Sequence, residues 1–234
     1  MKSSYYKYFA ALLLFGSNGI VASNINLPSY EIVLLRLLLG SLFLITVFTV
    51  SRQRFTFYRN KHTCLYLFIS ASAMGASWML LYEAYQQVGI SIASLAYYCG
   101  PVIVMILSPF LFRETLTWPK IAGFLTVLAG MCLVNLQALD EGKTIWGLFC
   151  GLMSAFMYAL MVTANKKAKP ESGLENSLLQ LVIGSFIVVA FVSMQKNFVL
   201  SLTTIDWIPV LLLGLLNTGI GWFFFFFFFF LTPA

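Results

Sequence analysis

Charge is what this sequence lacks most. Of its 234 residues only 14 are Lys or Arg and 8 are Asp or Glu, 9% in all, where soluble domains carry about 25%. So few charges cannot clothe a fold in water, and a mean hydropathy of +0.89 with 60% hydrophobic residues agrees. The one histidine, His62, lies in a basic loop without an obvious acid or nucleophile beside it, which removes the usual catalytic triads. The four cysteines, Cys64, Cys99, Cys132 and Cys150, are far apart and sit in or at the edges of apolar runs. Without a Cys-x-x-Cys pair they support neither a metal site nor a disulfide framework. No Gly-rich phosphate loop is present, which argues against ATP-driven work by this chain alone. No carboxylate falls in the middle of an apolar run, so no proton relay is indicated. The chain reads as not an enzyme, with no cofactor and no metal.

What is there is apolar length. Runs of about 18 residues or more recur along the whole chain, the mark of membrane-spanning helices. Eight spans are predicted: Tyr8–Ser23, Pro28–Val50, Cys64–Tyr82, Ile90–Phe112, Lys120–Leu136, Trp146–Ala164, Leu178–Met194 and Trp207–Leu231. The fold class is an all-α, polytopic helix bundle in a lipid bilayer. Residues 1–23 imitate a signal peptide, but a second span comes at once and no Ala-x-Ala-like site is apparent, so they read as a retained first helix.

The Lys and Arg residues sort by loop. One side holds Lys2, Lys7, Arg52, Arg54, Arg59, Lys61, Arg113, Lys120, Lys166, Lys167 and Lys169, the other only Lys143 and Lys196. Such a bias marks the cytoplasmic side, which predicts a multi-pass protein of the cell membrane with its N-terminus inside. It also accounts for the net charge of +6 without a nucleic-acid partner. An odd number of spans per repeat would invert a second copy relative to the first. Gly75 and Trp78 have counterparts at the same spacing, Gly219 and Trp222, after a shift of 144 residues. That shift places the third span opposite the eighth.

Several stretches together resemble the drug/metabolite transporter superfamily in its EamA-like branch. Ser91 to Gly130, SIASLAYYCGPVIVMILSPFLFRETLTWPKIAGFLTVLAG, is similar to the region of that family's fourth helix, with Pro101 and Glu114 in place. The FGSNG segment, Phe15 to Gly19, and Arg36 in LLRLLLG match as well. The resemblance implies ten helices in two inverted five-helix repeats. Residues 1–137 correspond to the first repeat, and residues 138–234 to a second with three helices. The ninth and tenth helices of the family pattern are absent from this sequence. Eight consecutive phenylalanines, Phe223–Phe230, form a low-complexity tract of the kind a slipped reading frame produces, so truncation is expected here.

Helical spacing selects the candidate working residues. Ser91, Ser94, Tyr98, Pro101, Met105 and Ser108 step by three and four and share one face. Pro101 lacks an N–H and frees a carbonyl near mid-membrane. Gly75, Trp78, Tyr82 and Tyr85 form a similar row, with Tyr82 and Tyr85 near an interface where aromatic belts occur. Ser154, Tyr158, Met161 and Asn165 repeat the pattern on the sixth span. Asn18 and Asn217 are amides that suit either a polar head group or helix–helix hydrogen bonds. The substrate-binding candidates are therefore Asn18, Trp78, Tyr82, Tyr98, Pro101, Tyr158, Asn217 and Trp222. Arg36 lies roughly 12 Å into its span, too deep for easy snorkelling, so it faces the bundle. With Arg113 and Glu114 at the end of the fourth span it is assigned to structure or gating. Glu31 and Glu83 are placed near the outer rim.

Two classes of function stand against each other. The first is a secondary transporter that exports or exchanges small organic metabolites, such as amino acids or amphipathic amines, by alternating access. The second is a truncated, non-transporting membrane fragment, or a half-module completed by a partner chain or a second copy.

Overall fold

The computed structural model describes residues 13, 16–22, 24–25, 27–113, 117–135, 145–168, 172–194 and 206–224. Every helix or turn among them is α, 3-10 or π, with no strand. The elements are α1 (residues 16–22), α2 (Ser29–Val50), α3 (Lys61–Tyr97), α4 (Cys99–Phe112), α5 (Trp118–Asn135), α6 (Ile145–Ala168) and α7 (Gly173–Ser193). The last, α8, opens at Trp207–Leu211, widens into a π-helix over Leu212–Ile220 and is helical to Phe224.

Five of the described segments are long and apolar enough to cross a membrane: Tyr30–Val50, Lys61–Phe112, Ile145–Ala168, Gly173–Ser193 and Trp207–Phe224. Ile121–Gly130 is a shorter apolar helix. Half of the predicted first span, outside residues 13 and 16–22, falls outside the described residues, as do Glu114 and positions 225–231 of the eighth. The third and fourth predicted spans follow one another without an intervening loop, 52 residues over Lys61–Phe112 with a kink between them at Gly89. Straight, that run would measure about 78 Å, against a hydrocarbon core of about 30 Å. Gly89 resolves the mismatch with φ 80° and ψ 163°, a backbone region that essentially only glycine occupies. A second interruption falls at Tyr98, whose own angles stay right-handed at −69° and −5°. The cause is Pro101, which has no N–H to give the Tyr97 carbonyl.

Many bulky apolar side chains point outward. Leu42, Phe110, Ile145 and Phe186 are all more than half exposed, which suits a lipid-facing surface. Others, such as Leu37, Leu44, Met74 and Leu181, fill the interior, where small and polar residues among them help decide how the helices meet. Ser77 and Ser154 bond each other's carbonyls across α3 and α6, at 2.9 and 2.7 Å. Asn165 and Asn176 exchange amide hydrogen bonds between α6 and α7. Gln180 donates to the Ser70 hydroxyl, which donates to the Met161 carbonyl. Ser154 and Asn165, expected on a polar stripe, are thus occupied with helix–helix contacts.

At one end of the bundle Glu175, 2% exposed, ties α7 to the connection between α2 and α3. Its carboxylate accepts from the Thr56 N–H and hydroxyl and, at 3.0 Å, from the Phe57 N–H. Ser172 caps the same helix start.

The 144-residue shift extends further than Gly75 and Trp78. It also carries Glu31 to Glu175, Arg36 to Gln180, Gly40 to Gly184 and Ser41 to Ser185, and all of these are buried. The contacts shift with the residues. A Cβ on Gly40 would meet Thr218 at 2.8 Å and Leu181 at 3.1 Å; one on Gly184 would meet Met74 at 2.6 Å and Leu37 at 3.9 Å. Met74 shifts to Thr218, and Leu37 to Leu181.

Candidate functional site

A cavity of about 370 Å³ opens where α1, α2, α3, α4, α6 and α8 approach. The local structure explains why it is there. Gly16 and Gly19 leave α1 thin on this side, Tyr98 and Pro101 bring the break between α3 and α4 to its wall, and Tyr158 enters from α6. From α3 come Trp78, Tyr82 and Tyr85, and from α8 Trp222. The rings contact one another: Trp78 and Trp222 edge to face at 5.2 Å, Tyr82 and Tyr85 at 5.3 Å, Tyr97 and Tyr158 at 5.4 Å. A smaller hollow of about 200 Å³ shares Gly19, Tyr82, Tyr85 and Ile90 with it and reaches Gln86. There the Gln86 amide donates to the Leu27 carbonyl, tying α3 to the residues before α2.

Of the substrate-binding candidates, the structure gathers Asn18, Trp78, Tyr82, Tyr98, Pro101, Tyr158 and Trp222 around this one cavity. Asn217 stands behind it. Its amide donates to the Ser17 hydroxyl and to Asn18 Oδ1, both at 3.0 Å, so the two asparagines link α1 to α8. Tyr82 is 2% exposed, so its ring faces the interior of the bundle. Ser94 also lines the cavity, and Ser108 is buried in α4.

Arg36 also forms part of the cavity wall. Its guanidinium is 2% exposed and lies 4.0 Å from the centre of the Trp78 ring. Nε donates to Thr218 Oγ1 at 3.0 Å and Nη1 donates to the Tyr82 hydroxyl. Nη2 is buried and finds no hydrogen-bond partner among the described residues. Arg113 instead ends α4 in a left-handed conformation, φ 56°, with its N–H on the Pro109 carbonyl at 3.1 Å, and is exposed. Glu114 lies outside the described residues. Glu31, in the first turn of α2, is 2% exposed, and its Oε2 has no hydrogen-bond partner among the described residues.

Thr218 is a residue that sequence reasoning did not find. It sits in the π-helical stretch of α8, where its hydroxyl donates to the Leu213 carbonyl five residues back while accepting from Arg36. Thr218 stands four residues before Trp222, so spacing reaches the position, but nothing in the sequence marks its hydroxyl as the partner of Arg36. The 144-residue shift would have drawn attention to Glu175 and Gln180.

The model of the EamA-like transporter family matches residues 3–136 and 145–234, and the chain belongs to that family. A curated relative, the uncharacterized transporter YxxF of Bacillus subtilis (strain 168), is 26% identical over 221 residues. That match covers 92% of this chain and 69% of the relative. A protein of known crystal structure superposes with a TM-score of 0.74 at 17% identity, over 97% of this chain and 79% of the other, which supports the fold. The chain is a polytopic membrane helix bundle of a transporter family, and the family and the relative point to a transporter rather than an enzyme.

Proposed function

We propose that this chain is a secondary transporter of the cell membrane that exports or exchanges small organic metabolites, such as amino acids or amphipathic amines. The observation that carries this reading is the 370 Å³ cavity, enclosed by helices from both halves of the chain and lined by rings with a few polar groups. Such a lining suits a compact ligand with an apolar body and a polar head.

Alternating access needs two halves that can rock about the site. Residues 1–137 and 138–234 serve as the two repeats, the second inverted, and the contacts that recur with a 144-residue shift support that division. Gly40 and Gly184 then mark the close crossings on which the halves move. The Lys and Arg bias supports an N-terminus on the cytoplasmic side.

The test is flux. Proteoliposomes loaded with a panel of labelled amino acids and amphipathic amines should show saturable, protein-dependent exchange of at least one compound, lowered at least tenfold by Trp78→Ala. Flux indistinguishable from empty liposomes across the panel would remove the transporter reading.

A further inference from the structure

We infer that the ligand of the cavity carries a carboxylate, and that Arg36 is the group that receives it. The inference rests on the transporter reading only in taking this cavity as the ligand site; it narrows the ligand from amino acids or amphipathic amines to compounds that carry a carboxylate.

Among the described residues, Arg36 is the one charged side chain of the cavity wall. A guanidinium this deep in a membrane bundle normally pairs with an acid. Here each partner it has is neutral: the Thr218 and Tyr82 hydroxyls and the faces of the Trp78 and Tyr82 rings. Among the described residues no carboxylate reaches it, and the two N–H bonds of Nη2 point at no acceptor. The aromatic faces hold the charge through their quadrupoles. They do not neutralise it.

Packing does not require a cation at this position. The residue that takes the place of Arg36 after the 144-residue shift is Gln180, also fully buried, and its amide makes a helix–helix hydrogen bond to Ser70. A neutral amide therefore occupies the same place in the other half of the chain, bonded through Nε2 while its Oε1 has no hydrogen-bond partner among the described residues. The positive charge at 36 is an addition, and it borders the cavity.

A carboxylate supplies what is missing. It brings one negative charge to one positive charge, and it accepts charge-assisted hydrogen bonds from Nη2 and from the second N–H of Nη1. Nη2 is buried, so the acid arrives by displacing the Trp78 ring that lies over the guanidinium. A phosphate dianion would remain half neutralised, since no second cation among the described residues lines the cavity. An amine would add a second positive charge to the same enclosed, weakly screened space. The rings of Tyr85, Tyr97, Tyr158 and Trp222 are left to hold an apolar or aromatic body.

The test uses three compounds of one shape on the full chain purified in detergent: 3-phenylpropionate, 3-phenylpropan-1-ol and 3-phenylpropylamine. Binding is read by tryptophan emission and by the shift of the thermal unfolding midpoint. The acid is expected to bind saturably, to change the emission as Trp78 moves, and to exceed the alcohol by about thirtyfold in affinity, about 2 kcal/mol. The amine is expected to bind more weakly than the alcohol. Arg36→Gln, which copies the Gln180 arrangement, should make the acid no better than the alcohol. Arg36→Lys keeps the charge without the fork, so it should retain the acid preference at lower affinity, and it serves if the Gln variant does not fold. Equal binding of acid and alcohol by the unaltered protein, an acid preference that survives Arg36→Gln, or no saturable binding of the acid would each overturn the inference. Acid binding without flux in proteoliposomes would instead overturn the transporter reading and leave this one standing.

Discussion

The indole rings of Trp78 and Trp222 meet edge to face, 76° between planes, at the wall of the cavity. They stand 144 residues apart, one on α3 and one on α8, and Trp78 also covers the Arg36 guanidinium at 4.0 Å. One ring thus joins the two halves of the chain and shields the charge between them.

Trp78→Ala should damage both roles. Trp78 is 5% exposed, and removing a buried Trp costs about 3–5 kcal/mol. Thermal unfolding in detergent should show that loss, and flux should fall with it. Trp78→Phe, which keeps a ring over Arg36, is expected to recover more than half of the lost midpoint; no recovery would mean that indole shape rather than ring coverage matters.

Thr218→Val keeps the volume and removes the hydroxyl that accepts from Arg36 Nε. A buried donor left unpaired costs about 1–3 kcal/mol. In an Arg36→Gln background there is no such donor to strand, so the same substitution should cost less than half as much. A double-mutant cycle on unfolding midpoints measures the difference, and additive costs would show that the Arg36–Thr218 bond contributes nothing.

Gly89→Ala isolates backbone strain. A Cβ there would meet nothing within 4 Å, yet φ is +80° with ψ 163°. The expected cost is about 1–3 kcal/mol without any steric clash. A midpoint equal to that of the parent protein would show that the chain between Val88 and Ile90 relaxes freely.

Gly100→Ala and Gly184→Ala separate rigid from yielding neighbours. At Gly100 the new Cβ meets the Tyr158 ring at 2.7 Å and the Ala155 carbonyl at 3.1 Å; at Gly184 the nearest atom is the mobile end of Met74 at 2.6 Å. The first should cost about 1–3 kcal/mol and weaken ligand binding by moving Tyr158. The second should stay near zero in stability, because a methionine end can turn aside. The reverse order of midpoints would contradict the packing described.

Glu175→Gln should loosen the connection between α2 and α3. The carboxylate accepts three hydrogen bonds there, and an amide can serve only part of them while placing an N–H against a donor. Faster amide hydrogen exchange or proteolysis across Arg52–Asn60, with little change elsewhere, is the expected result.

By itself the sequence determined the membrane environment and the class of fold, because an apolar composition with few charges leaves a chain no stable surface in water. Spacing by three and four also picked out part of the cavity wall, Trp78, Tyr82, Tyr85, Ser94, Tyr98 and Pro101, but in the same rows Ser91 is exposed and Gly75 packs on Gly184. The family was legible in the same residues, with Pro101 and Arg36 among them. Tertiary structure decided what spacing cannot express. Arg36 is held by Thr218, 182 positions away, on the π-helical stretch of α8. Asn217 serves Asn18 rather than the open cavity, because the two helices cross there. Glu175 clamps a distant connection, and Ser154 and Asn165 spend their polar groups on neighbouring helices. Whether a polar side chain in a bundle faces a ligand or a neighbour depends on which helix lies opposite it, and that is a property of packing, not of order along the chain.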